Sequence, residues 1–488
     1  MNADTRSLLA VLSLLAIAAT ACSDSSASEA LPTDEDATEV TLTSSTILPT
    51  DPTDRIDEPA SVEAAGAADG DGVDGTVVEI GEVFLPDGSI VITNGEGGFA
   101  ADIGNADRFG RDHDRAGDID GDGVVDLVVG ARSDDDGPSS TDGLTDAGAV
   151  YILFMEADGT VRSHQKISSL DGGFSTPLVE DAFFGYGVAG IGDYDGDGIP
   201  DVAASAPGSR QIADGFEPSV YILHLNADGT VKSTVAAAGV AAEGLSAVGD
   251  LDGDGRVDLV AADPNGGEAG RIHLLFFDED SALRADDVVT IGDDQGGFDG
   301  QLSAGDSFGG RESALLGDLD GDGGPELAVG AFTSDSGTGA VWILSLDGET
   351  HEVISEAKVT PGVPGFDEVL PLAENENGTS GGHFGHALVA GGDLDGDGVP
   401  DLITSANQYE TGVVYAIYLN PDKTVKGFTR ITGEEAGFDL TLADDERFGR
   451  SMSIVDDDRA DGEITLNVGG GAGVQRGGAI YALTLNLD

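Results

Sequence analysis

The chain has 488 residues, with 92 acidic and 22 basic side chains, so its formal net charge is −70. Nucleic acid binding through phosphates requires a surplus of lysine and arginine, so this composition argues against a nucleic acid partner. The single cysteine excludes an intramolecular disulfide and any cysteine-based zinc or iron–sulfur centre. Hydrophobic residues make up 40% of the chain, which is enough for a folded core.

The N-terminus has the features of a secretion signal. An apolar run at residues 8–21 follows Arg6 and is short for a membrane span, so residues 1–21 are predicted to be a signal peptide. Small residues precede Cys22, and this arrangement resembles a bacterial lipoprotein signal. The resemblance implies lipidation of Cys22 and a place at the bacterial cell envelope or surface, with membrane attachment through the lipid alone. An ordinary cleaved signal is the alternative.

Residues 22–75 are predicted to be a disordered acidic linker. Residues 23–75 contain 14 acids, one base and no aromatic residue. Such a segment buries too little apolar surface to offset the entropy lost on ordering, and its charges repel one another. It therefore suits a tether for the remaining domain, residues 76–488.

An internal repeat covers residues 76–488. The pattern D-x-D-G-D-G-x-x-D/E begins at five aspartates, and a sixth, damaged copy follows at residues 456–462. Each copy precedes a short apolar run, and β-branched or aromatic runs such as residues 150–153 and 220–223 recur six times between glycine and aspartate turns. No long stretch has helical periodicity, so the predicted class is all-β. The five copies start at Asp118, Asp193, Asp250, Asp318 and Asp393.

A Phe-Gly pair precedes most of these loops, and a Gly-Phe pair precedes each Phe-Gly. We expect these phenylalanines to pack in the core or between repeat units. The third unit, around Gly244, lacks both pairs. The Phe-Gly phenylalanines are Phe109, Phe184, Phe308, Phe384 and Phe448, and the Gly-Phe phenylalanines are Phe99, Phe174, Phe298, Phe366 and Phe438.

Phe-Gly, the acidic loop and a following Gly-Ala, as at residues 130–131, together resemble the FG-GAP repeat of the integrin alpha N-terminal β-propeller. The resemblance implies a ring of four-stranded blades around a central channel, with calcium in loops between the first two strands. Six repeat units predict six blades, although an unassigned apolar run at residues 76–80 leaves seven open. The last unit lacks a fourth strand and the N-terminal run at residues 86–92 lacks a partner, so this run is expected to close the ring.

The acidic loops have the spacing of a calcium site. Residues one, three and five of a tight loop can point at one centre, residue seven adds a carbonyl, and residue nine completes the cage with hard oxygens. An EF-hand is excluded because position 12 of the first loop is Val129, in a β-type run. Simple Asp-Gly turns are the other alternative, and the damaged sixth copy is expected to have lost its metal. We predict about five Ca²⁺ sites. Their ligands are Asp118, Asp120, Asp122, Val124 and Asp126; Asp193, Asp195, Asp197, Ile199 and Asp201; Asp250, Asp252, Asp254, Arg256 and Asp258; Asp318, Asp320, Asp322, Gly324 and Glu326; and Asp393, Asp395, Asp397, Val399 and Asp401.

A histidine pair and two long polar segments are the remaining candidate features of the sequence. The His-x-x-His pair, His383 and His386, has a zinc-like spacing, but other units have arginines at the same places, so we interpret it as a repeat feature. Common hydrolase, zinc-protease and phosphate-loop motifs are absent from the sequence. Long polar segments at residues 133–148 and 367–382 are candidate binding loops on a rigid scaffold.

The sequence therefore predicts a secreted, surface-tethered and monomeric calcium-binding propeller that acts as a binding, adhesion or scaffold module for an extracellular protein or glycan. A polysaccharide lyase or hydrolase built on a propeller is the alternative, and a purely structural envelope protein is a third. No catalytic residue is assigned. The chain has few lysines and dispersed histidines, which favours binding over catalysis. Its strong acidity fits a salty, calcium-containing exterior.

Overall fold

The fold is a six-bladed β-propeller in which each blade is a sheet of four antiparallel strands. The computed structural model describes residues 90–101, 103–104, 106–135, 145–209, 216–370, 373–375, 378–431, 442, 446–456, 463–471 and 478–486. The predicted signal peptide, Cys22, the acidic linker, residues 76–80, Phe438 and residues 457–462 lie outside these ranges.

The strands follow one another around the ring with few other elements. They are β1 (Val91–Ile92), β2 (His113–Gly117), β3 (Asp126–Ala131), β4 (Ala149–Met155), β5 (Val161–Ile167), β6 (Val188–Gly192), β7 (Asp201–Ala206), β8 (Ser219–Leu225), β9 (Val231–Ala238), β10 (Gly244–Ala247), β11 (Leu259–Asp263), β12 (Arg271–Leu275), β13 (Val289–Gly292), β14 (Phe308–Gly317), β15 (Glu326–Ala331), β16 (Ala340–Leu346), β17 (Val353–Val359), β18 (Ala373–Asn375), β19 (Gly378–Ser380), β20 (Phe384–Gly392), β21 (Asp401–Ala406), β22 (Val413–Leu419), β23 (Val425–Ile431), β24 (Met452–Asp456), β25 (Glu463–Gly470) and β26 (Ala479–Asn486). The blades are β2–β5, β6–β9, β10–β13, β14–β17, β20–β23, and β24–β26 with β1.

Two small elements lie outside the blades. A helical turn, α1 (Ser334–Gly337), connects β15 and β16, and the hairpin of β18 and β19 lies in the predicted long insert of the fifth blade. Within the ranges described, no helix is both long enough and apolar enough to cross a lipid bilayer.

The N-terminal strand closes the ring, as predicted. Strand β1 pairs antiparallel with β26, with Val91 opposite Tyr481 and Ile92 opposite Ile480. The first strands of neighbouring blades contact one another around the ring, and β24 of the last blade contacts β2 of the first. The ring closes at six blades, which decides between the six and seven left open by the sequence.

Each blade has two loop-bearing ends. The first strand begins beside the Phe-Gly pair, and we call this side of the ring the Phe-Gly face. The first strand ends at the acidic loop, and we call that side the acidic-loop face. Because the strands are antiparallel, the connections between second and third strands lie on the Phe-Gly face. The first candidate binding loop, residues 133–148, connects β3 to β4 and so starts and ends on this face. The second, residues 367–382, instead lies in the connection from β17 to β20 and ends next to the Phe-Gly pair of the fifth blade.

The Phe-Gly phenylalanines pack between blades, which confirms the prediction for them. The ring of Phe184 is fully buried and stacks on Phe174 at 4.6 Å between centroids. The edge of Tyr221, from the third strand of the same blade, completes the contact at 5.9 Å from Phe184. The same cluster includes Val150 of the preceding blade. Aromatic burial of this kind joins neighbouring sheets.

Glycine is required where the blades meet. Gly185, after Phe184, has φ +77°, and a Cβ there would lie 2.4 Å from the carbonyl oxygen of Ala149 on the preceding blade. A Cβ on Gly130 would lie 2.1 Å from the carbonyl oxygen of Gly185. Real Cβ atoms do not approach backbone oxygens so closely, so side chains at these positions would push the blades apart.

Candidate metal centres

Five acidic clusters lie between the first and second strands of the first five blades, on the acidic-loop face. In each cluster, one carboxylate oxygen from each of three residues lies within 4.8 Å of the others. The structure therefore brings together side chains that the repeat spacing had assigned to common sites. The clusters are Asp118, Asp120 and Asp122; Asp193, Asp195 and Asp197; Asp250, Asp252 and Asp254; Asp318, Asp320 and Glu326; and Asp393, Asp395 and Asp401.

Hydrogen bonds within each loop fold it around the first aspartate. In the second loop, Oδ1 of Asp193 accepts the backbone N–H groups of Gly196 and Asp197 at 2.8 and 3.0 Å, and Oδ2 accepts that of Gly198 at 2.8 Å. Asp197 in turn accepts the N–H of Ile199 at 2.9 Å. Glycine is needed because Gly196 and Gly198 have φ of 76° and 91°. The turn leaves carboxylate oxygens on its inner side.

The residue at loop position seven uses its amide in the same way in every loop. Its N–H donates to the carboxylate at position five, at 2.8 to 2.9 Å. Whether its carbonyl binds a metal stays a prediction. The residues are Val124, Ile199, Arg256, Gly324 and Val399.

The acid at position nine is buried and anchors the loop to the blade. In the fifth loop, Oδ2 of Asp401 accepts the N–H of Leu394 at 2.8 Å, and Oδ1 accepts the N–H of Leu419, on the third strand, at 2.9 Å. Burial raises the pKa of Asp401 to about 7, and the charges of Asp395 and Asp397 raise it further. An added cation would relieve both effects.

The other position-nine acids share the contact with loop position two, and Asp126 and Asp201 also accept an N–H from the third strand. Each accepts the N–H of loop position two, at 2.7 to 3.0 Å. Burial raises the pKa of Asp126 to about 6 and that of Asp258 to about 7. The remaining two are Asp201 and Glu326.

The clusters have the chemistry of a site for a hard divalent cation. Calcium binds six to eight oxygens at about 2.3–2.6 Å, so oxygens on opposite sides of one ion lie roughly 5 Å apart. Three carboxylate oxygens within 4.8 Å of one another satisfy that spacing. Oxygen-only ligands and flexible geometry suit Ca²⁺ better than a transition metal.

Basic side chains from the fourth strands face these carboxylates, and the sequence reasoning missed them. The ammonium of Lys232 lies 2.7 Å from Asp195 and 2.6 Å from Asp197. Lys426 makes the same two contacts in the fifth blade, and Arg162 bridges Asp120 and Asp122 in the first. The hydrogen bond from Lys232 holds the pKa of Asp197 below its usual range.

A sequence signal for these partners existed. Each follows a turn of the form Asp-x-Thr-Val-basic, as at residues 158–162, 228–232 and 422–426. In the third and fourth loops the basic partner comes from a different part of the chain. Arg284 contacts Asp252, and Lys423 of the neighbouring blade lies 2.6 Å from Asp320.

The histidine pair and the candidate binding loops, the remaining predicted features, are not part of the acidic clusters. His383 and His386 lie 5.4 and 5.0 Å from the ring of Phe332, between centroids, and neither belongs to a metal-type cluster among the described residues. Their interpretation as a repeat feature stays a prediction. Residues 136–144 of one candidate binding loop lie outside the described residues.

Comparison with known proteins identifies the repeat. The FG-GAP repeat family matches residues 115–153, 310–344 and 384–417, and the FG-GAP-like repeat family matches residues 193–261. These matches fall on the first, second, third, fourth and fifth blades.

Curated relatives are integrin alpha chains. The chain is 26% identical to integrin alpha pat-2 of Caenorhabditis briggsae over 266 residues, covering 50% of this chain and 19% of that protein. It is 28% identical to integrin alpha-5 of Xenopus laevis over 306 residues, covering 57% and 24%. It is 28% identical to human integrin alpha-IIb over 290 residues, covering 56% and 24%. The chain thus spans about a quarter or less of the length of these relatives. Within its described residues, the chain is a six-bladed β-propeller with segments that match FG-GAP and FG-GAP-like repeats, and it is similar in sequence to integrin alpha chains.

Proposed function

We propose that this protein is an extracellular calcium-binding propeller that acts as a binding or adhesion module. Calcium would occupy the five loops of the acidic-loop face and stiffen the blades. The Phe-Gly face would recognise a protein or glycan. The observation that carries this proposal is the recurrence of one carboxylate arrangement in five blades.

The electrostatics of the loops supports a role for cations. Each loop gathers at least three acidic side chains, and like charges so close destabilise the folded chain unless they are neutralised. Lysine and arginine supply part of that neutralisation, but one monovalent group per loop leaves an excess of negative charge. A divalent ion would remove more of it and stabilise the folded state by binding there alone.

Secretion and tethering are proposed on the sequence features of residues 1–75. Similarity to extracellular integrin alpha chains supports an extracellular location. Lipidation of Cys22 and attachment to the bacterial cell envelope are part of this proposal. Mass spectrometry of the mature N-terminus tests it, since acylated Cys22 and an unmodified cleavage product differ by the acyl-chain mass.

A polysaccharide lyase or hydrolase remains the second candidate. The carboxylate of Glu243 lies beside Arg311 and Tyr186, and such a grouping of acidic, basic and phenolic side chains could serve this chemistry. The recurrence of the acidic loops in five blades favours the binding role.

An array of glycans and extracellular matrix proteins, probed with the full chain in calcium and in chelator, tests the binding role. The proposal predicts calcium-dependent retention on a subset of ligands without change in their mass. Turnover of a polysaccharide in the same experiment would favour the enzyme instead. Binding unaffected by chelator would remove calcium from the proposal.

A further inference from the structure

Arginine side chains gather at the Phe-Gly face around the mouth of the central channel. We call Arg111, Arg132, Arg311 and Arg450 the arginine cluster. Three of its members follow the Phe-Gly pairs of the first, fourth and sixth blades, and Arg132 follows the second strand of the first blade. The chain has only 22 basic residues against 92 acids, so four arginines at one place need an explanation.

The cluster surrounds one buried phenol ring. The guanidinium carbons of Arg132, Arg311 and Arg111 lie 4.3, 4.8 and 5.6 Å from the centroid of Tyr186. Tyr186 occupies the position after Phe-Gly in the second blade and is only 8% exposed. Three blades thus contribute to the contacts at Tyr186, and Arg450 of the sixth blade joins the cluster through its electrostatic interaction with Arg311 and Arg111.

Little negative charge balances the cluster. Glu243 of the third blade lies 3.4 Å from Arg311 and accepts the hydroxyl of Tyr186 at 2.8 Å. Among the residues that the structure describes, Arg111, Arg132 and Arg450 form no ion pair. Acids do line the channel below: Asp112 and Glu312, which follow Arg111 and Arg311 in sequence, border a cavity of about 360 Å³. Their carboxylates are held by backbone N–H groups of Val188, Leu388 and Met452.

Donor groups in the cluster lack acceptors. The Nε atoms of all four arginines are buried and have no hydrogen-bond partner within the described chain. Nδ1 of His386, beside them, is also unpartnered. Arg450 and His386 are 7% and 6% exposed, so water reaches them poorly. A buried donor without an acceptor is costly, and a charged one more so.

Mutual repulsion supports the same view. Burial, followed by the charges of Arg311, Arg450 and Arg132, lowers the pKa of Arg111 well below its usual range. Burial also lowers the pKa of Arg450 to about 9, with Arg311 next among the causes. Burial, and after it the charge of Arg311, lowers the pKa of His386 well below its usual range. Burial lowers the pKa of Arg311, but Tyr186, Glu243 and Asp112 together raise it above its usual value, so the uncompensated positive charge falls on Arg111 and Arg450.

We propose that the arginine cluster is a binding site for an oxyanion, either the carboxylate of an acidic ligand or an inorganic oxyanion such as sulfate. Planar guanidinium groups present paired N–H donors that match such oxygens, and an anion would supply both the missing acceptors and the missing charge. This inference deepens the proposed binding role, because it gives the Phe-Gly face a ligand chemistry, and it rests on that role.

The test uses the full chain in calcium, at constant ionic strength. Inorganic sulfate and D-galacturonate are titrated by calorimetry, with neutral D-galactose as the control ligand. Arg111→Gln and Arg132→Gln remove donors from the cluster. Arg430→Gln is the matched control variant, because Arg430 pairs with Glu410 at 2.6 Å and lies over Tyr409, outside the cluster.

We expect sulfate or galacturonate to bind the wild type, and each cluster variant to weaken that binding about tenfold, the effect of losing one charge-assisted hydrogen bond. Arg430→Gln should bind as the wild type does, and galactose should not bind. Galacturonate tighter than sulfate identifies an acidic organic ligand, and the reverse identifies an inorganic one. Absence of binding by both anions, or binding by both cluster variants as tight as that by the wild type, overturns the proposal.

Thermal unfolding of the same samples separates this inference from the calcium proposal. If the cluster were only structural, both cluster variants would unfold at lower temperature without oxyanion, and neither anion would stabilise the wild type. Stabilisation by calcium without anion binding would overturn the oxyanion site alone. Anion binding without any response to calcium would overturn the calcium loops alone.

Discussion

Replacing the buried acid at the end of an acidic loop should remove one calcium site. Asp401→Asn keeps the size of the side chain but removes its charge. Asp401 accepts two backbone N–H groups, from Leu394 and Leu419, and an amide can accept with one oxygen only. One N–H would then face the amide NH₂, which should lower the free energy of unfolding by about 1–3 kcal/mol.

The calcium contribution can be estimated separately. Extracellular calcium modules have Kd values of about 0.1–1 mM, so about 10 mM calcium stabilises the folded state by roughly 1.4–2.7 kcal/mol for each site. In calcium, Asp401→Asn should lose one such contribution to stability, in addition to the cost of the unpaired N–H. In chelator its loss should be smaller, because removing one charge also relieves repulsion from Asp395 and Asp397.

Calorimetric titration and thermal unfolding, each in calcium and in chelator, measure both effects. Asp228→Asn is the control, because Asp228 lies in an exposed turn outside the acidic loops, where it accepts the N–H and hydroxyl of Thr230. We expect the Asp401 variant to bind one ion fewer and Asp228→Asn to bind the wild-type number. Equal stoichiometry and an equal calcium-induced stabilisation for wild type and Asp401→Asn would refute the reasoning.

Three further predictions concern the loops, the blade contacts and the channel. The ammonium of Lys232 contacts two loop aspartates, so Lys232→Met should lower the unfolding temperature in chelator and tighten calcium binding. Lys358 pairs with an aspartate outside the loops, so the control Lys358→Met should leave calcium titrations unchanged. Gly330→Ala places a Cβ 2.0 Å from a carbonyl oxygen of the next blade and should destabilise the fold by about 1–3 kcal/mol in chemical unfolding. Gly348 has open space around it, so the control Gly348→Ala should leave the stability unchanged. Burial raises the pKa of Asp112, so its stabilising contribution is complete below the unfolded pKa of about 4 and is lost as the pH rises through the higher folded pKa. Asp112→Asn should therefore flatten the decline of unfolding temperature with pH. An unchanged profile would contradict this.

Local repeat patterns predicted much of this molecule. Each acidic loop is nine consecutive residues, and its hydrogen bonds join residues two to seven positions apart, so the spacing alone defined the clusters. Ring closure was also predictable, because β1 and the last blade each lacked a partner in sequence. The phenylalanine pairs were recognised as packing residues for the same reason of regular recurrence.

Contacts between distant parts of the chain were not predictable in this way. Lys232 reaches a loop 35 to 37 residues earlier, and only the register of the fourth strand determines that it faces Asp195. The arginine cluster was harder still. Three of its members occupy equivalent repeat positions, but other residues, including Tyr186 and His386, fill that position in other blades. Closing the ring brings these positions together, and no local pattern records that.

The calcium content of the full chain tests the central claim most directly. Protein stripped with chelator and titrated with Ca²⁺ by calorimetry should bind about five ions, one for each acidic cluster, and its unfolding temperature should rise over the same concentration range. Absence of binding heat together with an unchanged unfolding temperature up to about 10 mM calcium would contradict the account.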